Sequence, residues 1–166
     1  TTDQLNELLT LDNICEVPFH SSLVLDDGKF LDEQSRVQRK IDETLSDGKN
    51  VVVYTERKLM VPASEDPEDA LRLSVRISDA VTGFVKNLKV RPSFIIAKGG
   101  ITSSDIGVKG LGVKRADVAG QILPGIPVWK LGADSKFPGL PYIIFPGNVG
   151  EVDSLKQACL KLTRQG

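Results

Sequence analysis

The sequence predicts an α/β fold, a three-layer sandwich built on a mostly parallel or mixed sheet. Two observations carry this. Short runs of strand length, Val51-Val52-Val53, Phe94-Ile95-Ile96-Ala97 and Tyr142-Ile143-Ile144-Phe145, alternate with longer stretches whose apolar residues recur at helical spacing. Twice, at Gly99-Gly100 and at Gly147–Gly150, an apolar strand runs into a glycine loop followed by a helix start. Strands alternating with helices favour a sheet covered by helices, with ligands beyond the carboxyl ends of its strands.

In chain order, Leu5, Leu8 and Leu9 mark a first helix that Thr1 or Thr2 can cap. Ile14 to Phe19 is a strand that Pro18 pushes towards an edge. Asp26-Asp27-Gly28-Lys29 is a turn signal, and Val37, Ile41 and Leu45 form one stripe of a helix from Asp32 to Leu45 that Asp47-Gly48 ends. Asn50 to Thr55 is a β-branched strand, and Glu56 to Ser64 a loop whose Arg57-Lys58 pair is most simply solvated. Asp66-Pro67-Glu68-Asp69 combines a cap, a proline at the first helical position and first-turn acids. Ala70, Leu73, Ile77, Ala80, Phe84 and Leu88 give the helix it opens an apolar stripe.

Phe94 to Ala97 reads as a strand covered on both faces, leading into the loop at Gly99-Gly100. From Gly107 to Leu131 glycines break the chain into short pieces; Val113 to Ile122 fits a helix or a strand, Pro124-Gly125 forces a turn before Val128, and antiparallel strands are the favoured reading. Pro141 to Phe145 is a further buried strand. The closing helix carries Val152, Leu155, Ala158, Cys159 and Leu162 on one face.

Composition narrows the function classes. The 166 residues suffice for one domain with a sizeable core, and the expected organisation is a single domain spanning 1–166. With 21 basic against 22 acidic residues, no global field points to nucleic acid or an anionic membrane. Aromatics at 5% also argue against a base-stacking surface. Cys15 and Cys159 fit no metal or redox spacing and read as buried thiols in a reducing compartment. No apolar run approaches a membrane span and Thr1-Thr2-Asp3-Gln4 does not resemble a signal peptide, so a cytoplasmic or organelle-stromal protein is the expectation.

Chemistry-bearing patterns are few. There is neither a Gly-x-x-x-x-Gly-Lys-Ser/Thr phosphate loop nor a Gly-x-Gly-x-x-Gly after a strand, and no metal-ligand cluster. His20, the only histidine, has no sequence partner for a catalytic triad and reads as a surface or capping residue. What remains is the Gly99-Gly100 loop. Glycines let a ligand approach the backbone closely, and Thr102, Ser103 and Ser104 can cap the helix that follows, which makes an anion site. A plain β–α turn with a capped helix accounts for the same residues. Lys98 either meets phosphate oxygens or is simply solvated. Asp105, Glu151 and Asp153 either complement helix dipoles or hold Mg²⁺ through water.

Gly99-Gly100-Ile101-Thr102-Ser103, Gln121-Ile122-Leu123-Pro124-Gly125-Ile126-Pro127 and Pro146-Gly147-Asn148-Val149-Gly150, in that order, resemble the C-terminal nucleotide-binding domain of the four-carbon acid sugar kinases. The resemblance covers most of the chain and is strongest from Pro92 onwards. It implies ATP-dependent phosphorylation of sugar acids such as erythronate or threonate, with Mg²⁺ as the companion ion. It further implies that Gly99, Gly100, Ile101, Thr102 and Gly147 touch ATP phosphates. Family members usually place Lys-Ser before the last Gly-Asn-x-Gly, and this chain departs with Phe145-Pro146. The wording from Ile144 to Gly150 is similar to plant versions fused to a dehydrogenase-like domain and a class II aldolase domain. The sugar-acid domain, the catalytic base and one nucleotide-contacting strand of the family precede this region, so the chain reads as a fragment with no catalytic residue of its own. The alternative is a non-catalytic spacer or docking module within such a multifunctional polypeptide.

Overall fold

A computed structural model describes residues 2–55, 67–98, 105–114, 116–145 and 151–165. The chain forms two compact units, one of residues 15–90 and one of residues 1–14 with 91–166. Helices and sheets are mixed in sequence order, as an α/β fold requires.

In the unit of residues 15–90, β1 (Ile14–Phe19) and β2 (Asn50–Thr55) form a two-stranded sheet. A 3₁₀ turn (Ser21–Leu25) leads from β1 into α2 (Asp27–Ser46), and α3 (Pro67–Lys86) completes the unit. Here Asp26-Asp27-Gly28-Lys29 is not a turn but the opening of α2. The Asp26 carboxylate accepts from the Lys29 N–H at 3.0 Å, which satisfies a first-turn donor and starts the helix at Asp27, five residues before the expected Asp32. At the other end Gly48 takes φ 77°, and Gly48 and Lys49 donate to the Leu45 and Thr44 carbonyls. That double closure needs a residue tolerant of the left-handed region, hence the glycine.

The buried face of α2 carries Phe30, Val37 and Ile41. It meets Phe19 of β1, whose ring is stacked with Phe30 at 5.7 Å and edge-on to Phe84 of α3 at 5.0 Å. Only the second half of α3 is well covered. Ala80 and Phe84, with Leu88 just beyond, are buried, whereas Ala70 is exposed, as are Leu71 and Val75 off the stripe.

In the other unit the sheet has the order β3-β6-β5-β4, with β3 Ile95–Lys98, β4 Ala116–Leu123, β5 Ile126–Leu131 and β6 Pro141–Phe145. β3 and β6 are parallel, and the remaining pairings are antiparallel. The β4–β5 hairpin turns at Pro124-Gly125, where Gly125 has φ 80°. β3 is an edge strand of this sheet, so Ile95 and Ile96 are only half-buried, and the strand covered on both faces is β6. α1 (Thr2–Leu8) packs on α4 (Ser154–Gln165), tied by the Gln4 side-chain amide donating to the Glu151 carbonyl and by Lys156 beside Glu7 at 3.8 Å. α4 buries Leu155, Ala158, Cys159 and Leu162 as its spacing predicts. Val152 does not join them. It precedes the helix and is 53% exposed, because the Ser154 hydroxyl accepts from the Glu151 N–H and α4 begins only at Ser154. Among the described residues no helix is long and apolar enough to cross a membrane.

Candidate functional site

The predicted contact residues Gly99, Gly100, Ile101, Thr102 and Gly147 lie outside the described residues, as do Ser103, Ser104 and the Arg57-Lys58 pair. The strands that lead into both loops are described. β3 and β6 are parallel neighbours with Ile95 opposite Tyr142, Ala97 opposite Ile144 and Lys98 opposite Phe145. The last residues of both strands, Lys98 and Phe145, therefore lie at the same, carboxyl, end of the sheet, where α/β proteins place ligands.

The strand ends are built differently. Phe145 is fully buried and Ala97 nearly so, which fixes the backbone of both strands up to their last residue. Lys98 is half-exposed, and its ammonium lies 5.3 Å from the centre of the Phe145 ring. Phe145, which replaces the polar residue that the resemblance leads one to expect, is thus a core residue and the platform beneath a cation. Its partner was not legible in sequence, since the contact exists only once β3 and β6 pair.

Beyond the first loop, Asp105 leads into a π-helical turn (Ile106–Gly110) in which Leu111 donates to the Ile106 carbonyl at 2.9 Å. The described part of this region is therefore a wide turn, where the capping residues Thr102, Ser103 and Ser104 predict the start of a helix, and such turns concentrate at functional places. Gly107 faces Tyr142 of β6, where a Cβ would stand 3.8 Å from the ring. Burial holds the Tyr142 phenol above the ordinary tyrosine range, so it stays protonated. Asp105 pairs with Lys109 at 3.8 Å. Beyond the second loop Glu151 and Asp153 are exposed and precede α4 instead of lying in its first turn. Among the described residues no group of acids, histidines and cysteines has the arrangement of a metal centre.

His20 is exposed, and it caps the 3₁₀ turn through its backbone position, without a side-chain cap. Its N–H donates to Glu33 at 2.8 Å. Cys159 is buried, which pushes its thiol above the usual range, and Cys15 is half-buried. A groove between α2 and α3 is lined by Gln34, Gln38, Arg39, Asp42 and Lys89. Its polar groups already serve the fold, with Gln38 donating to the Phe84 carbonyl and Asp42 accepting from the Lys89 N–H.

Residues 1–155 match the family described as nucleotide-binding C-terminal domain. The chain belongs to that family. A DUF1537 domain of Bordetella bronchiseptica, solved as a domain-swapped dimer with bound citrate, superposes with a TM-score of 0.67 at 15% identity, covering 97% of this chain and 37% of its own. A DUF1537 protein of Haemophilus influenzae gives a TM-score of 0.67 at 20% identity with the same coverage. A Salmonella typhimurium LT2 protein gives 0.63 at 16%, covering 95% of this chain and 37% of that one. At these identities the likeness is one of fold, and the chain spans little more than a third of each structure. No curated protein matches the sequence.

Proposed function

We propose that this nucleotide-binding domain is the ATP-binding part of a kinase for four-carbon sugar acids such as erythronate or threonate. The observation that carries it is the parallel, in-register pairing of β3 and β6, whose last residues, Lys98 and Phe145, stand opposite each other at the carboxyl end of the sheet. Gly99, Gly100, Ile101 and Thr102 would hold the phosphates through backbone N–H groups and a hydroxyl, and Gly147 would approach from the neighbouring strand. Mg²⁺ would arrive with ATP, with the exposed Glu151 and Asp153 as its nearest acids in sequence. The acids leave that second loop less suited to direct phosphate contact, because like charges repel at close range.

Catalysis in such an enzyme is chiefly positioning and charge stabilisation of the transferring phosphoryl group. This domain contributes the nucleotide. The sugar acid and the base for its hydroxyl belong to a domain of a longer protein, consistent with the third or so of the neighbouring structures that this chain spans. A cytoplasmic multidomain polypeptide of the dehydrogenase, kinase and aldolase type fits the wording around Phe145-Pro146.

Calorimetric titration of the intact protein with ATP tests the proposal, using Gly100→Val as the probe of the first loop. A β-branched side chain there crowds the close approach of phosphate and should weaken ATP binding about tenfold or more, while the melting temperature changes little. Normal ATP binding by the folded variant would remove the first loop from the site. Absence of ATP binding in the wild type would favour the second reading, a docking module, which the burial of Phe145 in place of a polar residue supports.

A further inference from the structure

We infer that Lys98 is the residue that takes up the phosphate charge of the nucleotide, with its ammonium held ready by the face of Phe145. This rests on the ATP-binding reading and adds a contact to it. Lys98 is the last residue of β3, at the carboxyl end of a parallel pair, where a bound nucleotide lies in folds of this kind.

Three features separate it from a solvated lysine. Its ammonium stands over an aromatic ring at 5.3 Å, and that ring is fully buried, so the cation is held against a rigid partner. Among the described residues no carboxylate pairs with it; Asp105, the nearest acid in sequence, pairs with Lys109. The ring attracts the charge but accepts no conventional hydrogen bond, so it leaves the ammonium's donors for another acceptor. A phosphate oxygen supplies both the missing negative charge and the acceptor. Lysine acts as a point charge, tolerant of the several orientations that a triphosphate can present.

The test compares ATP with adenosine, binding by calorimetry to the intact wild-type protein and to Lys98→Met, Lys98→Arg and Phe145→Leu. For Lys98→Met, ATP should bind about tenfold more weakly with adenosine unchanged, and the salt sensitivity of ATP binding should fall. Lys98→Arg should restore most of the loss. Phe145→Leu should weaken ATP by a smaller factor, again without affecting adenosine. Equal ATP affinity in wild type and Lys98→Met overturns the inference and leaves the ATP-binding reading intact. Parallel weakening of ATP and adenosine also overturns it, since that marks a general structural effect. A wild type that binds neither ligand ends both. Should Lys98→Met fail to fold, Lys98→Gln, which keeps a polar group at the strand end, carries the same expectations.

Discussion

Glu33 is the residue whose role is best defined by its partners. It is 5% exposed, on the face of α2 that also carries Val37 and Ile41, yet its carboxylate is fully engaged. Arg36 donates to Oε1 at 2.6 Å and to Oε2 at 2.9 Å, and the His20 N–H donates to Oε2 at 2.8 Å. The same guanidinium donates to the Pro18 carbonyl at 2.7 Å, so one ion pair closes the exit from β1 onto α2. The Arg36 hydrogen bonds hold the carboxyl below the usual glutamate range, against the opposing effect of burial. A depressed value means stability that is present above the unfolded glutamate value of about 4.3 and is lost as pH falls through the folded one. Glu33→Gln should therefore cost about 1–3 kcal/mol in urea unfolding at pH 7, with the gap to wild type narrowing below pH of about 4. A gap that does not change with pH would show that the charge is not what matters. The i,i+3 spacing of Glu33 and Arg36 is open to view in the sequence, but their partners outside α2, the His20 N–H and the Pro18 carbonyl, are not.

At the scale of elements, the α2 boundary turns on a single carboxylate. Asp26→Ala should lower stability by about 1 kcal/mol, seen as an earlier urea midpoint with an unchanged slope, and Asp26→Ser should recover most of it. An unaltered midpoint in the alanine variant would mean that water caps the helix as well. Caps of this kind are legible in sequence, and Asp26 was hidden by its setting: Asp-Asp-Gly-Lys satisfies the requirements of a turn and of an N-cap followed by three helical residues alike. The choice falls to the helix because Phe30 in its first turns has Phe19 to pack against. Val152 likewise matched the α4 stripe by spacing, although the turn closed by the Glu151 N–H and the Ser154 hydroxyl leaves it outside the helix.

For the molecule as a whole, membership of a nucleotide-binding family accounts for one part of the proposed kinase, whose catalytic base the proposal assigns to another domain. The buried Tyr142 phenol keeps its proton, so it is no base for a substrate hydroxyl near neutral pH. This chain alone should show no phosphorylation of erythronate or threonate in a coupled assay with ATP and Mg²⁺. Turnover that scales with the concentration of the chain would contradict that division of labour.

The sequence by itself determined the succession of helices and strands, the apolar faces of α2 and α4, the Pro124-Gly125 hairpin and the two strand-to-loop exits. Each of these depends on residues a few positions apart: a period, a cap, a glycine that tolerates positive φ. Only the tertiary structure decided that β3 stands at the edge of its sheet, that β6 takes the interior place, and which strand pairs are parallel and which antiparallel. It also decided that Phe145 supports Lys98 and that Glu33 closes β1 onto α2. Those facts join residues far apart in the chain. They follow from which apolar surfaces find each other once the elements exist, and β3 and β6 have similar apolar runs that do not reveal which will be covered.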